Sequence, residues 1–313
     1  MNMKSLCIVS PVYREADSIA LFHERLSEVL STLSARYESR VLYVVDPSDD
    51  GTVEVLRKIG ERDATTSALV MSTRFGHQMA LVAGIDHCDA DLMVMLDSDL
   101  QHPPELIPTL VAKYEEGYDV VQTVRTRTEQ QAGTSALMSR LFYRVLNRMS
   151  DIDIIEGGAD FRLLSRRVVN VFKESVRERN QFLRGLVPWV GFRSTTVEFV
   201  ARPRAAGASK YSFARSMRLA LDGLLSFSKA PLRLGIGLGL FFAAIAFAYS
   251  LVTAIVWMTA GSLPSGWTSL AMLVAGFSGV LLVFMGVLGL YIGAIFDEVK
   301  ARPHYVVEER INP

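Results

Sequence analysis

Two carboxylates one residue apart, Asp97 and Asp99, end a short apolar run in the stretch LMVMLDSDLQHPPE, Leu92–Glu105. The run is too short for a helix and long enough for a buried strand, and Pro103-Pro104 prevents any continuation. Side chains two apart on a strand share a face, so both carboxylates can converge on one cation. Mg²⁺ or Mn²⁺ is commonly held by one or two carboxylates together with substrate phosphates, which makes this pair a possible clamp for a metal and a diphosphate. A D-x-D alone is equally a solvated acidic turn after a core strand, so the rest of the chain has to decide.

Other residues with chemical potential follow apolar strands in the same way. Asp46, after Val41–Val45, is suited to hydrogen-bonding a base or ribose, while Asp49, Asp50 or Thr52 is better placed to cap the next helix. Asp160 follows Gly157-Gly158 at the start of a strand, where glycines let backbone come close to something. Arg125 and Arg127 follow another strand, and Arg140, Arg144 and Arg148 lie at four-residue spacing on a helix over Ser135–Met149. That helix either docks on the core or lies at a membrane surface. Arg202–Tyr211, RPRAAGASKY, is small, flexible and cationic, the composition of an anion-binding loop, and an amphipathic helix over Phe213–Ser228 follows it.

The elements that must position these groups alternate. Strands are expected at Ser5–Val9, Val41–Val45, Leu69–Ser72, Leu92–Leu96 and Val120–Val124. Between them come helices from Asp17 or Ser18 to about Ala35, from Thr52, from Gly76-His77-Gln78 to about His87, and over about Pro104–Glu116. Strand–helix alternation with short loops means an α/β fold, a mostly parallel sheet with helices on both faces. The loops after Val9, Val45 and Leu96 all leave strand C-termini, where open α/β sheets bind ligands.

Composition limits the partners. Lys plus Arg and Asp plus Glu number 33 each, so no basic excess argues for nucleic acid. The charges are unevenly spread, with none between Leu234 and Phe296. Leu232–Ala260 and Ser269–Phe296 each exceed the roughly 20 apolar residues needed to span a bilayer. Lys229 and Arg233 precede the pair and Lys300 and Arg302 follow it, which places both chain ends on the cytoplasmic side. Cys7 and Cys88 have no metal spacing and are expected to be buried thiols, and the N-terminus lacks a signal peptide. The boundaries expected are a catalytic domain over 1–211, an amphipathic interface helix over 212–230, a membrane hairpin over 231–297 and a tail over 298–313.

In order, PVYREADS at Pro11–Ser18, FGHQMALVAGID at Phe75–Asp86, MLDSDLQHPPE at Met95–Glu105, GGADFRLLSR at Gly157–Arg166, and GASKYSF followed by SFSKAPLR resemble the inverting family 2 glycosyltransferases of GT-A fold. Within them the chain is most similar to the polyprenyl-phosphate branch, dolichol-phosphate-mannose-synthase-like and including bactoprenol glucosyltransferases. The resemblance implies a Rossmann-like GT-A domain, a nucleotide sugar donor with UDP-glucose favoured, a divalent metal (Mg²⁺ or Mn²⁺) and a polyprenyl phosphate acceptor. It also implies an inner-membrane, multi-pass enzyme facing the cytoplasm. By the same resemblance, Asp97, Asp99 and Gln101 surround the metal and donor diphosphate. Pro11, Tyr13, Glu15, Asp46 and Ser98 belong to the donor side, and Asp160 lies near the sugar and acceptor. Arg125, Ser139, Arg204, Ser209 and Lys210 match positions that hold phosphates.

The chain departs from the family pattern in places. Asp46-Pro47-Ser48-Asp49 stands where D-D-G-S is usual, Thr73-Arg74 replaces the frequent R-N, and Gln181-Phe182-Leu183-Arg184 is followed by Gly185 instead of the tryptophan of processive synthases. The activity expected is transfer of one sugar with inversion. A processive polysaccharide synthase and an inactive membrane-anchored binding protein of the same fold are the alternatives. Glycine patterns in the apolar segments, such as Gly235-x-Gly237-x-Gly239, permit close helix packing and a homo-oligomer.

Overall fold

The structure is a computed structural model and describes residues 3–126, 157–200, 230–260 and 266–312. The two amphipathic helices expected over Ser135–Met149 and Phe213–Ser228, with the basic loop Arg202–Tyr211, lie outside these residues. The chain divides into two units, one built from the N-terminal two-thirds together with Arg302–Pro313, the other mainly from Leu224–Ala301.

The first unit begins with the expected alternation. β1 (Lys4–Val12), β2 (Tyr37–Val45), β3 (Thr66–Met71), β4 (Leu92–Met95) and β5 (Val120–Arg125) are separated by α1 (Ile19–Leu33), α2 (Thr52–Arg62), α3 (His77–His87) and α4 (Ile107–Glu115), the last preceded by a 3₁₀ turn at Pro104–Leu106. β1 lies between β2 and β4, parallel to both, and is buried from Leu6 to Val12. Burial on both faces explains its nearly continuous apolar run. α1 buries Ile19, Phe22, Leu26, Leu30 and Leu33, the three-to-four spacing of a helix with one face on a core.

Helix α3 needs a different device. Residues Ala80–Ile85 are all buried, and a Cβ added at Gly84 would lie 2.1 Å from Val9 Cγ1. Glycine therefore lets α3 lie close against β1. Cys7 and Cys88 are free and buried, as expected.

Past β5 the sequence-based expectation was incomplete. β6 (Gly158–Ser165) inserts antiparallel between β4 and β5; α5 (Arg166–Glu174) and α6 (Leu183–Trp189) follow, and β7 (Ser194–Phe199) pairs parallel with β5 at one edge. The sheet order is β7-β5-β6-β4-β1-β2-β3-β8, mixed but mostly parallel. The last strand, β8 (Val307–Ile311), pairs antiparallel with β3 and covers what would be its open edge. Sequence reading left this segment as tail. Here it is joined to the sheet unit by Arg57 to Glu309 (2.9 Å), Tyr305 Oη donating to Asp86 (3.0 Å) and Arg179 donating to the carbonyls of Arg302 and Pro303 (both 2.8 Å).

The second unit holds α7 (Ala230–Ala260) and α8 (Trp267–Val299), each with a segment long and apolar enough to cross a membrane, Leu232–Thr253 and Gly276–Val299. The two helices meet through Phe242 and Phe277 (ring centroids 5.4 Å apart) and where Gly235 faces the Phe284 ring. A side chain at Gly235 would collide with that ring, which is how a small residue lets apolar helices approach.

Candidate active site

The loops at the C-terminal ends of β1, β2 and β4, with β6 beside them, form an acidic crevice whose polar groups are tied to one another. Ser98, 3% exposed, donates to the Pro11 carbonyl (3.2 Å), locking the D-x-D loop to the end of β1. Leu100, directly after Asp99, has φ of +60°, and Arg14 in the β1 loop has +58°. Non-glycine residues in this region cost about 1–2 kcal/mol each and persist where surroundings over-determine them, often at functional sites. Tyr13 is half-buried with the Arg74 guanidinium 4.0 Å from its ring centroid. Glu15 accepts from the Ser18 hydroxyl at the start of α1.

Asp46 behaves differently from its sequence-based reading. It is 4% exposed, and its two oxygens accept the backbone N–H groups of Phe75 (3.0 Å) and Gly76 (2.9 Å). In this structure the carboxylate pins the loop before α3, instead of standing open for a base. The N-cap position itself is Gly51, and Asp50 just before it accepts from the Thr52 backbone (3.2 Å) and hydroxyl (2.7 Å) at the helix start.

Asp97 and Asp99 occupy the loop after β4, with Asp99 Oδ1 accepting from the Gln101 backbone (3.1 Å). Gln101 Oε1 accepts from Arg125 Nη2 (3.0 Å), so a predicted metal-side residue and a predicted phosphate-side residue touch. Asp97 Oδ1 is buried and has no hydrogen-bond partner among the described residues. A buried carboxylate oxygen without a partner is costly, and a cation is one way to satisfy it. Among the described residues no three His, Cys, Asp or Glu side chains stand together to hold a metal unaided. Two carboxylates with the balance of ligands from a diphosphate fit that finding and fit the oxygen preference of Mg²⁺ or Mn²⁺.

Asp160 is the centre of the second half of the site. It is 4% exposed on β6, and Arg184 grips it side-on, Nε to Oδ1 at 3.1 Å and Nη2 to Oδ2 at 2.8 Å. Arg162, fully buried two residues along the same strand, adds Nη2 to Oδ1 at 2.8 Å and donates from Nη1 to the Leu183 carbonyl (3.1 Å). His77 Nε2 lies 3.4 Å from Asp160 Oδ2 and 3.6 Å from Asp97 Oδ1, while His102 Nδ1 lies 3.4 Å from Asp97 Oδ2. Burial alone would raise the Asp160 pKa, but the His77 hydrogen bond and the Arg184 and Arg162 charges outweigh it and hold the carboxyl well below its usual range. His77 is shifted the other way: burial lowers its pKa, Asp97 and Asp160 raise it, and the net direction is up.

Of the sequence-based candidates, Pro11 is at the end of β1, Tyr13, Glu15, Asp46, Asp97, Ser98, Asp99 and Gln101 are on the loops after β1, β2 and β4, and Arg125 and Asp160 are on β5 and β6. Ser139, Arg204, Ser209 and Lys210 lie outside the described residues. Sequence reading assigned no role to His77, Arg162 or Arg184. Arg162 carried a signal, a cation two residues from an acid on a strand, hence on the same face. His77 and Arg184 fell inside segments quoted for the family resemblance, FGHQMALVAGID and Gln181–Arg184, but nothing in those segments assigned either a role.

The strand ends of a mostly parallel α/β sheet, here carrying Asp160 beside a D-x-D loop, are where open α/β folds bind ligands. The family profile described as Glycosyl transferase family 2 matches residues 7–172. An uncharacterised glycosyltransferase of Bacillus subtilis is 40% identical over 302 residues, 96% of this chain and 93% of its own. The SfII prophage-derived bactoprenol glucosyl transferase of Shigella flexneri is 36% identical over 310 residues, 98% and 99% of the two chains. Mannosyl-3-phosphoglycerate synthase from Rubrobacter xylanophilus, a solved structure, superposes on 70% of this chain and 71% of its own, with a TM-score of 0.49 and 16% identity. The chain belongs to glycosyl transferase family 2. It is a glycosyltransferase with a mostly parallel α/β sheet and two C-terminal apolar helices.

Proposed function

We propose that the enzyme moves one sugar, glucose favoured, from a nucleotide diphosphate sugar to a polyprenyl phosphate at the cytoplasmic face of a membrane, with inversion at the anomeric carbon. The observation that carries this reading is the pairing of the Asp97–Asp99 loop with an Asp160 held as an anion by Arg162 and Arg184. Similarity over nearly the whole chain to bactoprenol glucosyl transferases supports the acceptor and the sugar.

Asp97, Asp99 and Gln101 would hold the divalent metal, Mg²⁺ or Mn²⁺, with the donor diphosphate. That ion supplies charge neutralisation for the departing nucleotide, of a kind worth several kcal/mol. Tyr13 and Glu15 flank the donor side, and Ser98 holds the D-x-D loop against Pro11. An oxygen of the acceptor phosphate attacks the anomeric carbon as its bond to the diphosphate oxygen breaks. A phosphate monoester has a second pKa of about 6, so the nucleophile is already anionic near neutral pH and no proton need be removed. Asp160, with its depressed pKa, is a poor base, and its place is to orient sugar or acceptor. Arg125, bonded to Gln101, stands by the phosphates, and Ser139, Arg204, Ser209 and Lys210 are proposed for the acceptor headgroup.

Anchoring through α7 and α8 would keep this chemistry beside the lipid. Because β8 belongs to the same sheet as β1–β7, the segments before and after the two helices fold together in one compartment, which supports a hairpin with both ends cytoplasmic. The test is to incubate purified enzyme with UDP-glucose, other nucleotide sugars and undecaprenyl phosphate, with Mg²⁺ or Mn²⁺, and to identify any lipid product by mass. A glucosylated lipid phosphate is expected. Free glucose as the sole product would reject the acceptor.

A further inference from the structure

Among the described residues, the imidazole of His77 lies within ion-pair distance of both Asp97 and Asp160, and its position is fixed from several directions. Gly76, with φ of +92° and ψ of 165°, turns the chain into α3 through a conformation open to glycine, so that His77 is the first helical residue. Asp46 clamps the two preceding backbone N–H groups, and Ser72 at the head of the same loop donates to the Val306 carbonyl (2.9 Å). These restraints aim Nε2 at Asp160 Oδ2 (3.4 Å) and Asp97 Oδ1 (3.6 Å), while the side chain keeps 42% of its surface exposed to the crevice.

An ionised carboxylate can only accept a hydrogen bond, so Nε2 carries the proton it offers to Asp160. The same proton edge faces the buried Asp97 oxygen that lacks a hydrogen-bond partner. Asp97 and Asp160 stand on different elements, the β4 loop and β6, and the imidazole between them lies within ion-pair distance of both. Their relative placement matters because a misplacement of about 1 Å in a reacting geometry costs up to 10²-fold in rate.

We infer that His77 is a positioning residue, bridging Asp97 and Asp160 so that the diphosphate side and the sugar–acceptor side of the crevice are held in register for transfer. The inference rests on the proposed transfer reaction for its kinetic consequence and on geometry alone for the bridge. It predicts a loss that falls mainly on kcat, since Tyr13 and Glu15, proposed for the nucleotide, lie after β1 and not on α3, with any rise in donor KM reporting disturbance of Asp97.

The experiment compares wild-type, H77A and H77Q full-length enzyme in detergent. H77A is expected to lose about 10- to 100-fold in kcat with the donor KM within about threefold of wild type. H77Q, whose amide can place an N–H near the Nε2 position, is expected to recover most of that loss. H77A retaining kcat within about twofold, or H77Q doing no better than H77A, overturns the inference.

A second measurement needs no turnover. Thermal midpoints of H77A, D160N and the double variant, and of the same cycle with D97N, are taken in EDTA. The shifts should be non-additive in both cycles, as they are for groups in contact. Additive shifts overturn the bridge. Wild-type enzyme that makes no lipid-linked sugar from any donor rejects the proposed function instead, and the two cycles then judge the bridge by themselves.

Discussion

Replacing Asp160 with asparagine should damage the fold as well as the reaction, and the size of the damage can be worked out from Arg162. That guanidinium is 0% exposed and has its ion-pair partner in Asp160, itself 4% exposed. Removing one member of a buried pair leaves an uncompensated charge and costs about 3–5 kcal/mol. Arg184, with a third of its side chain exposed, can turn toward water and adds little to the loss. Against a total stability of about 5–15 kcal/mol the expected loss is large. For chains near this size about 1 kcal/mol moves the midpoint by ~2–4 °C, so D160N should melt roughly 6–20 °C below wild type. The assay is thermal unfolding of the detergent-solubilised enzyme at pH 7.5, followed by fluorescence. Adding R162M to D160N should restore much of the midpoint without restoring transfer, because a neutral apolar side chain no longer demands a counter-charge. A fall of less than about 2 °C in D160N, or no recovery in the double variant, would refute the reasoning.

Four further outcomes follow from the same geometry. G84A should cost at least about 1–3 kcal/mol through collision with Val9, and V9A should relieve it, both read by chemical denaturation. Truncation before β8 should lower the thermal midpoint and promote aggregation, seen by light scattering, because it bares the edge of β3. D99A, or EDTA added to wild type, should abolish lipid product while leaving the midpoint of the apo enzyme nearly unchanged. Finally, His23, His87 and His304 have pKa values lowered by burial, so the unfolded chain takes up protons first as pH falls. Their stabilisation is present above the free histidine value of about 6.5 and is lost below it, with His77 offsetting part. The midpoint should drop between pH 7.5 and 5.5, and less so in H23Q.

What the sequence made legible was the part of the fold whose strands are buried on both faces. β1, β2 and β4 are apolar runs ending in acidic or proline-containing loops, and those endings located Pro11, Asp46, Asp97 and Asp99 at the sheet's C-terminal edge. A strand was expected to start at Asp160, but its central, antiparallel place was not legible because Asp160 and Arg162 are charges that a core tolerates by pairing them with each other and with Arg184. β7 alternates with polar residues as an exposed edge does, and β8, VEERI, reads as a charged tail until β3 supplies its partner. Asp46 shows the same boundary from the other side. Its place after β2 was evident, but its use, gripping Phe75 and Gly76, depends on a loop 29 and 30 residues further on. Contacts at that range have no local pattern, and His77 became visible only through them.

The order in which the sheet is assembled has a cellular consequence. One edge strand, β8, is synthesised after both apolar helices, so the sheet stays unfinished until they have been made. If the helices are the proposed anchor, a chain that crossed the bilayer once instead of twice would deliver β8 to the wrong compartment. β3 would then keep a bare edge, exposed to proteases and to aggregation. Correct insertion and a complete enzyme would thus be one event, and misinserted copies would be marked for removal by their own missing strand.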